Sequence, residues 1–244
     1  MKVHHVCLAV GAALCMTAAG AIYTETFDSV GHPAGYSDDA VPATGQPATG
    51  IYSGAYPWVF ANLSVLPWVC WFEGDPEIFP AHSGASNSYI GVNYQAGTGD
   101  ATRISSWLLS PVLTFENGNA VSLWTRTVPG SDWPDSLQIR LSISGESTNV
   151  GTAATSVGVF TTLLTNINPL LQVNGYPTNW TQYLMTISGL ASPTQGRIGL
   201  RYYVNDNVAE ADYIGVDDFM LLPEPLAWLS AAALAILAAR RRRS

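Results

Sequence analysis

The stretch Ser136-Leu137-Gln138-Ile139-Arg140-Leu141-Ser142-Ile143-Ser144 decides the fold class of this chain. Its apolar residues Leu137, Ile139, Leu141 and Ile143 recur at every second position, with polar residues filling the gaps. A strand sends successive side chains to opposite faces, so this spacing gives one buried and one wet face. In a helix the same four residues would scatter around the circumference. The stretch predicts a half-buried β-strand.

The same chemistry repeats on either side. Upstream, Ala120 to Thr127 (AVSLWTRT) alternates, with Val121, Leu123 and Thr125 on one face and Trp124 and Arg126 on the other. It follows Glu116-Asn117-Gly118-Asn119, whose Asn-Gly pair favours positive φ and a tight reversal. Val112 to Phe115, Arg103 to Leu109, Ser88 to Tyr94 and a short opening segment after Tyr23 (TETFDS) read as further strands. His32 to Gly50 reads as a long loop, and Pro57, Pro67 and Pro76 break the aromatic-rich span Ile51 to Phe79 into short pieces. Downstream, Gly145 to Gly158 is a polar loop, and Phe160 to Leu164 with Ile167 to Leu171 is expected to hold a helical turn. Trp180 to Ser188, Arg197 to Val204 and Tyr213 to Leu222 are strands. Between the two chain ends there is no sustained 3.6-residue apolar period, which argues against helical domains. Many short strands separated by Gly, Pro and Asn turns predict an all-β fold, an antiparallel β-sandwich of the jelly-roll type.

The ends carry different signals. An apolar run from Val6 to Ala19 leads into Ala19-Gly20-Ala21, the small-residue pattern that signal peptidase cuts. At the other end, Pro223-Glu224-Pro225 stops the last strand, because proline removes a backbone donor. The uncharged run Leu226 to Ala239 follows, and Arg240, Arg241, Arg242 and Arg243 close it. As a helix in lipid its fourteen residues reach about 21 Å, short of the ~20 residues that span a bilayer core. The arginines would stay cytoplasmic. This predicts a transient inner-membrane association through a transmembrane helix. The organisation expected is a signal peptide over 1–21, a sandwich domain over 22–222 and a terminal sorting segment over 223–244.

Charge and cysteine content exclude several classes. With both end segments removed, five arginines and seventeen acids remain, a net charge near −12. Such a domain repels nucleic acid, and no nucleic-acid partner is expected. Cys7 and Cys15 lie in the leader, so Cys70 is alone and no intrachain disulfide can form in the domain. His32 and His82 are the only histidines left, with no H-E-x-x-H and no zinc spacing. G-x-S-x-G and a phosphate-cradling glycine loop are also missing. No catalytic residue is assigned, and the chain is read as a non-enzyme.

Two resemblances extend these readings. Pro-Glu-Pro, an apolar helix and an arginine cluster in that order resemble the PEP-CTERM sorting signal. This implies processing by an exosortase after export and a place at the cell surface or in extracellular matrix. The ordered series Glu25-Thr26-Phe27-Asp28, Ser106 to Pro111, Leu123 to Arg126, Asp135 to Arg140, Trp180 to Tyr183 and Tyr213 to Phe219 is similar to choice-of-anchor domains related to cleaved-adhesin and MAM-like jelly rolls. It implies a surface-exposed adhesion or binding module without chemistry, and the leading reading is an exported non-catalytic protein that binds or structures extracellular matrix, with exopolysaccharide as partner. The alternatives are a calcium-dependent carbohydrate-binding module and a hydrolase with an unrecognised site.

Two sites are expected. First and last strands are neighbours in jelly rolls of this kind, so Glu25 and Asp28 would approach Asp217 and Asp218. Converging carboxylates suit Ca²⁺, which takes 6–8 oxygen ligands, and the resemblance implies the same ion at the last strand. Successive strand residues point to opposite faces, so Asp217 and Asp218 can share an ion only if that strand is bulged. Trp133, between Asp132 and Pro134 in a turn, is the expected exposed platform for a sugar ring.

Overall fold

A computed structural model describes residues 21–28, 30, 49–51, 58–65 and 71–224. The apolar leader, Cys70, His32, Pro225, the run Leu226 to Ala239 and Arg240 to Arg243 lie outside the described residues. Among those described, no helix is long and apolar enough to cross a membrane.

The described residues form thirteen strands, β1 (Tyr23–Glu25), β2 (Thr49–Ile51), β3 (Val59–Asn62), β4 (Phe72–Glu73), β5 (Ile90–Asn93), β6 (Ile104–Leu109), β7 (Leu113–Phe115), β8 (Ala120–Thr127), β9 (Leu137–Ser142), β10 (Thr162–Ile167), β11 (Thr181–Thr186), β12 (Thr194–Val204) and β13 (Tyr213–Leu222). One sheet runs β11-β8-β13-β5-β4, with β1 also on β13; the other runs β10-β9-β12-β6-β3-β2, with β7 also on β12. Every pairing is antiparallel. From β5 onward the chain changes sheet at every step except β6 to β7 and β9 to β10. Those crossings put β5-β13-β8-β11 side by side in one sheet and β6-β12-β9-β10 in the other, which is the double Greek-key winding of a jelly roll. The all-β sandwich expected from the alternation is present.

The inner faces meet in one large core. Leu137, Ile139 and Leu141 of β9 enter it with Ile198, Leu200 and Tyr202 of β12 and with Val121 and Leu123 of β8. Trp124 and Arg126 stay on the outer face of β8, half-buried, as the alternation requires. A smaller cluster of Trp107, Leu109, Phe160, Val150 and Ala61 covers the outer face of the β6 sheet. On the outside of the β13 sheet, Phe79, Tyr89 and Tyr213 form a third. Gly215 makes that third cluster possible. A Cβ there would meet the Tyr89 and Phe79 rings at 2.8 and 2.9 Å, so only glycine lets both rings lie on the backbone.

Two expectations are corrected. Phe160 to Leu171 holds no helical turn before residue 168; it supplies β10, an edge strand paired with β9 across a register shift between Leu163 and Thr165. Its Thr162, Thr165 and Ile167 are β-branched and favour the pleat, and an edge strand buries too little to show a clear apolar period. Ile143 leaves the apolar face of β9 and is exposed. The strand has ended at Ser142, and Gly145 at φ +60 turns the chain away.

Candidate functional site

The last strand is where the sequence places chemistry and where its geometry breaks. Ile214 and Val216 point into the core, and so do Phe219 and Leu221. An unbroken pleat would hold one parity, yet Val216 and Phe219 are three positions apart. The ladder with β8 accounts for this: Asp217 pairs with Trp124 and Met220 with Ser122, so Asp218 and Phe219 together oppose Leu123. Asp218 takes up the extra residue at φ +46, in the left-handed region that aspartate tolerates better than most residues. The strand is bulged, and the bulge brings both carboxylates to one place.

That place faces the segment His82-Ser83-Gly84. Asp217 Oδ2 accepts the backbone N–H groups of His82 and Ser83 at 2.9 and 3.1 Å, and its Oδ1 accepts the Asp218 N–H at 2.7 Å. Asp218 Oδ2 lies 2.6 Å from His82 Nδ1, and its Oδ1 accepts from Ser83 Oγ at 2.8 Å. His82 is held flat by stacking on Trp124, with ring centroids 3.8 Å apart. One ligand atom from each of His82, Asp217 and Asp218 falls within 4.8 Å of the others. Burial pushes the Asp217 carboxyl up to about 7, opposed by the Ser83 N–H and reinforced by the Asp218 charge. Two carboxylates, a hydroxyl and an imidazole so placed can hold a proton or a divalent cation. His82 is the residue that sequence reasoning missed. It is a loop residue 135 positions from Asp217, and no spacing signal reaches that far.

Glu25 and Asp28 are brought close in sequence register but play other parts. β1 does pair with β13, Glu25 opposite Phe219. The Glu25 carboxylate is taken by the Phe27 N–H at 3.0 Å, the Tyr23 hydroxyl at 3.2 Å and the Trp58 indole at 3.3 Å. Asp28 accepts from Thr26 Oγ1 at 2.7 Å. Its Oδ1 lies where a Cβ on Gly84, which has φ +75, would come to 2.5 Å, so Asp28 lies against the same 82–84 segment. The close group of three ligand atoms holds Asp217 and Asp218 but neither of these two. Pro223 and Glu224 follow β13 directly, and the Glu224 side chain lies against Gly118 of the Asn-Gly turn.

Trp133 is 51% exposed. Ser131 Oγ accepts its backbone N–H at 3.1 Å and fixes the turn that presents it. The ring borders a shallow, open concavity lined also by Ser131, Gln172, Asn174, Tyr176 and Thr178. Asn168 holds the far wall: its amide donates to Asp135 O at 2.9 Å and Gln172 O at 3.0 Å, and its Oδ1 accepts the Gln172 N–H at 3.0 Å. Asp135 forms the floor. It accepts from Thr127 Oγ1, from the Tyr202 hydroxyl at 2.5 Å and from the Asp212 N–H at 2.9 Å, and burial raises its carboxyl to about 6.

No family model matches the chain. No curated protein matches it either. Solved structures do. The K2 cleaved adhesin domain of Lys-gingipain is 15% identical with a TM-score of 0.50, covering 82% of this chain and 99% of that one. The K1 cleaved adhesin domain of Lys-gingipain from Porphyromonas gingivalis W83 gives 14%, 0.48, 82% and 96%. A xylan-binding domain from Paenibacillus barcinonensis gives 12%, 0.38, 83% and 94%. At 15% identity the likeness to the K2 domain is one of fold. The chain is a jelly roll with the fold seen in the K2 cleaved adhesin domain.

Proposed function

We propose that this chain is an exported, non-catalytic surface or extracellular-matrix protein whose jelly roll binds glycan, exopolysaccharide first. The observation that carries the reading is Trp133, a large ring held half in solvent beside a concavity with amide and hydroxyl groups on its walls. An aromatic plane offers the C–H face of a sugar its stacking partner, and convergent polar groups fix the hydroxyls. The 168–174 wall is tied down in advance, which lowers the ordering cost of binding.

Calcium at the Asp217–Asp218 bulge is the structural part of the same proposal. An ion there would offset the mutual repulsion of two buried carboxylates and fasten the 82–84 segment to β13. Removal of the leader by signal peptidase and recognition of Pro223, Glu224, Pro225 and the arginines by an exosortase complete the route to the surface.

Glycan-array binding by the protein, compared with Trp133→Ala, tests the reading. Binding weakened about tenfold or more by the substitution is expected for a central aromatic contact. Unchanged binding would remove Trp133 from the site. Turnover of polysaccharide, lost on mutating one carboxylate, would replace the proposal by a hydrolase. Neutral residues in place of Arg240 to Arg243 should leave the domain folded while changing C-terminal processing and surface display. Processing identical to wild type would reduce the segment to a plain anchor.

A further inference from the structure

The outer face of the β10-β9-β12-β6 sheet gathers positive charge in a domain that has little of it. Arg201 sits at the centre of that face, 2% exposed, its guanidinium 3.9 Å from the Tyr203 ring and 5.0 Å from the Trp107 ring. Its Nε donates to Ser105 Oγ at 3.0 Å, one Nη to Gln138 Oε1 at 3.2 Å and the other to Ala154 O. Arg140, one strand over, donates its Nε to the same Gln138 Oε1 at 2.8 Å. Two guanidiniums therefore share one neutral oxygen. Arg103, just before β6, adds a third charge, and its buried Nε has no hydrogen-bond partner. Arg140, Arg103 and Tyr203 are all partly exposed.

Among the described residues none of these three arginines forms an ion pair with a carboxylate; the ion pair found there is His82 with Asp218. Burial lowers Arg201 to about 10, and the Arg140 and Arg103 charges add to the effect. Three of the domain's five arginines thus stand together against their own repulsion, although seventeen acids were available to pair with them. Uncompensated cations in a partly desolvated place are stabilised by an arriving anion. Guanidinium forks match a planar carboxylate with two parallel hydrogen bonds. Tyr203 beside them is partly exposed, and the side of its ring turned away from Arg201 can pack against a sugar.

We propose that the face around Arg140, Arg103 and Tyr203 binds the carboxylate-bearing ring of an acidic polysaccharide, a uronic-acid unit. It is separate from the Trp133 concavity, so it goes beyond the glycan reading above and can fail without it.

Affinity electrophoresis of the full chain tests this, run with EGTA through gels holding polygalacturonate, its fully methyl-esterified form or dextran sulfate. Retardation by polygalacturonate is expected, although protein and polymer carry the same sign of net charge. Methyl esterification should abolish it, Arg140→Ala and Arg103→Ala should each weaken it about tenfold, and Trp133→Ala should leave it unchanged. Thermal unfolding of each arginine variant checks that the sheet is intact, and the esterified polymer tests the wild-type chain without any substitution. Equal retardation by the esterified polymer, equal retardation by dextran sulfate, or folded arginine variants that bind as wild type would each overturn the assignment.

Discussion

Asp217 keeps a carboxyl group where water does not reach, and its proton affinity follows from that. The unfolded chain releases this proton near 3.8 and the folded one near 7, so the folded state binds the proton more tightly. Stability from this group is full below about pH 4 and is lost as pH rises through 7. Asp135, raised to about 6, acts in the same direction. Urea unfolding in EGTA should therefore show falling stability from pH 4.5 to 7.5, by roughly 3 kcal/mol for Asp217 at ~1.36 kcal/mol per pKa unit. A flat profile would mean the carboxyl is not desolvated as described. Millimolar calcium at pH 7.5 should restore the loss, because the ion takes the place of the proton; superimposable curves in calcium and EGTA would sink the calcium proposal. At this scale the two aspartates and Trp133 were legible as residue types in telling places. His82 was not, since a loop that crosses the outside of a sheet leaves no periodic mark.

β13 shows how an element is specified. Its apolar residues read 214, 216, 219 and 221, a period of two with one step of three, and that step is the bulge. The signal was in the sequence and became decisive only with a partner strand to count against. Deleting Asp218 would put the four apolar residues at every second position of a regular ladder and keep Phe219 inward, against Trp58 and Tyr23, whose rings meet it at 5.1 and 6.2 Å. The variant should keep its sheets by circular dichroism, while loss of the Asp218 contacts with the His82 ring and the Ser83 hydroxyl lowers its stability by about 1–3 kcal/mol. Loss of sheet structure would show that the phase of β13 depends on the bulge. β10 marks the opposite limit. With one sheet neighbour and mostly half-exposed residues, it carries no clean alternation, and local apolar content alone misreads it.

Across the whole molecule, the ends of the described domain lie side by side. Ile22 N–H donates to Leu221 O at 2.8 Å, and Tyr23 pairs with Leu221. A permutant that joins Ile22 to Pro223 through a short Gly/Ser linker and opens the exposed loop between Ser147 and Thr148 should fold, since no ladder bond is cut. Its unfolding free energy should stay within about 2 kcal/mol of wild type; a permutant without sheet structure would contradict the pairing of β1 with β13. Alternation, composition and charge along the chain were enough to indicate an all-β sandwich, most of its strands and the acidity of the domain, because period, composition and charge are local properties. Which strands pair, that β13 is bulged, that His82 meets Asp217 and Asp218, and that three arginines share one face came only with the closed jelly roll. Those contacts join residues tens to more than a hundred positions apart, and hydrogen-bonded register across that distance is set by how the sheets close, which no local pattern encodes.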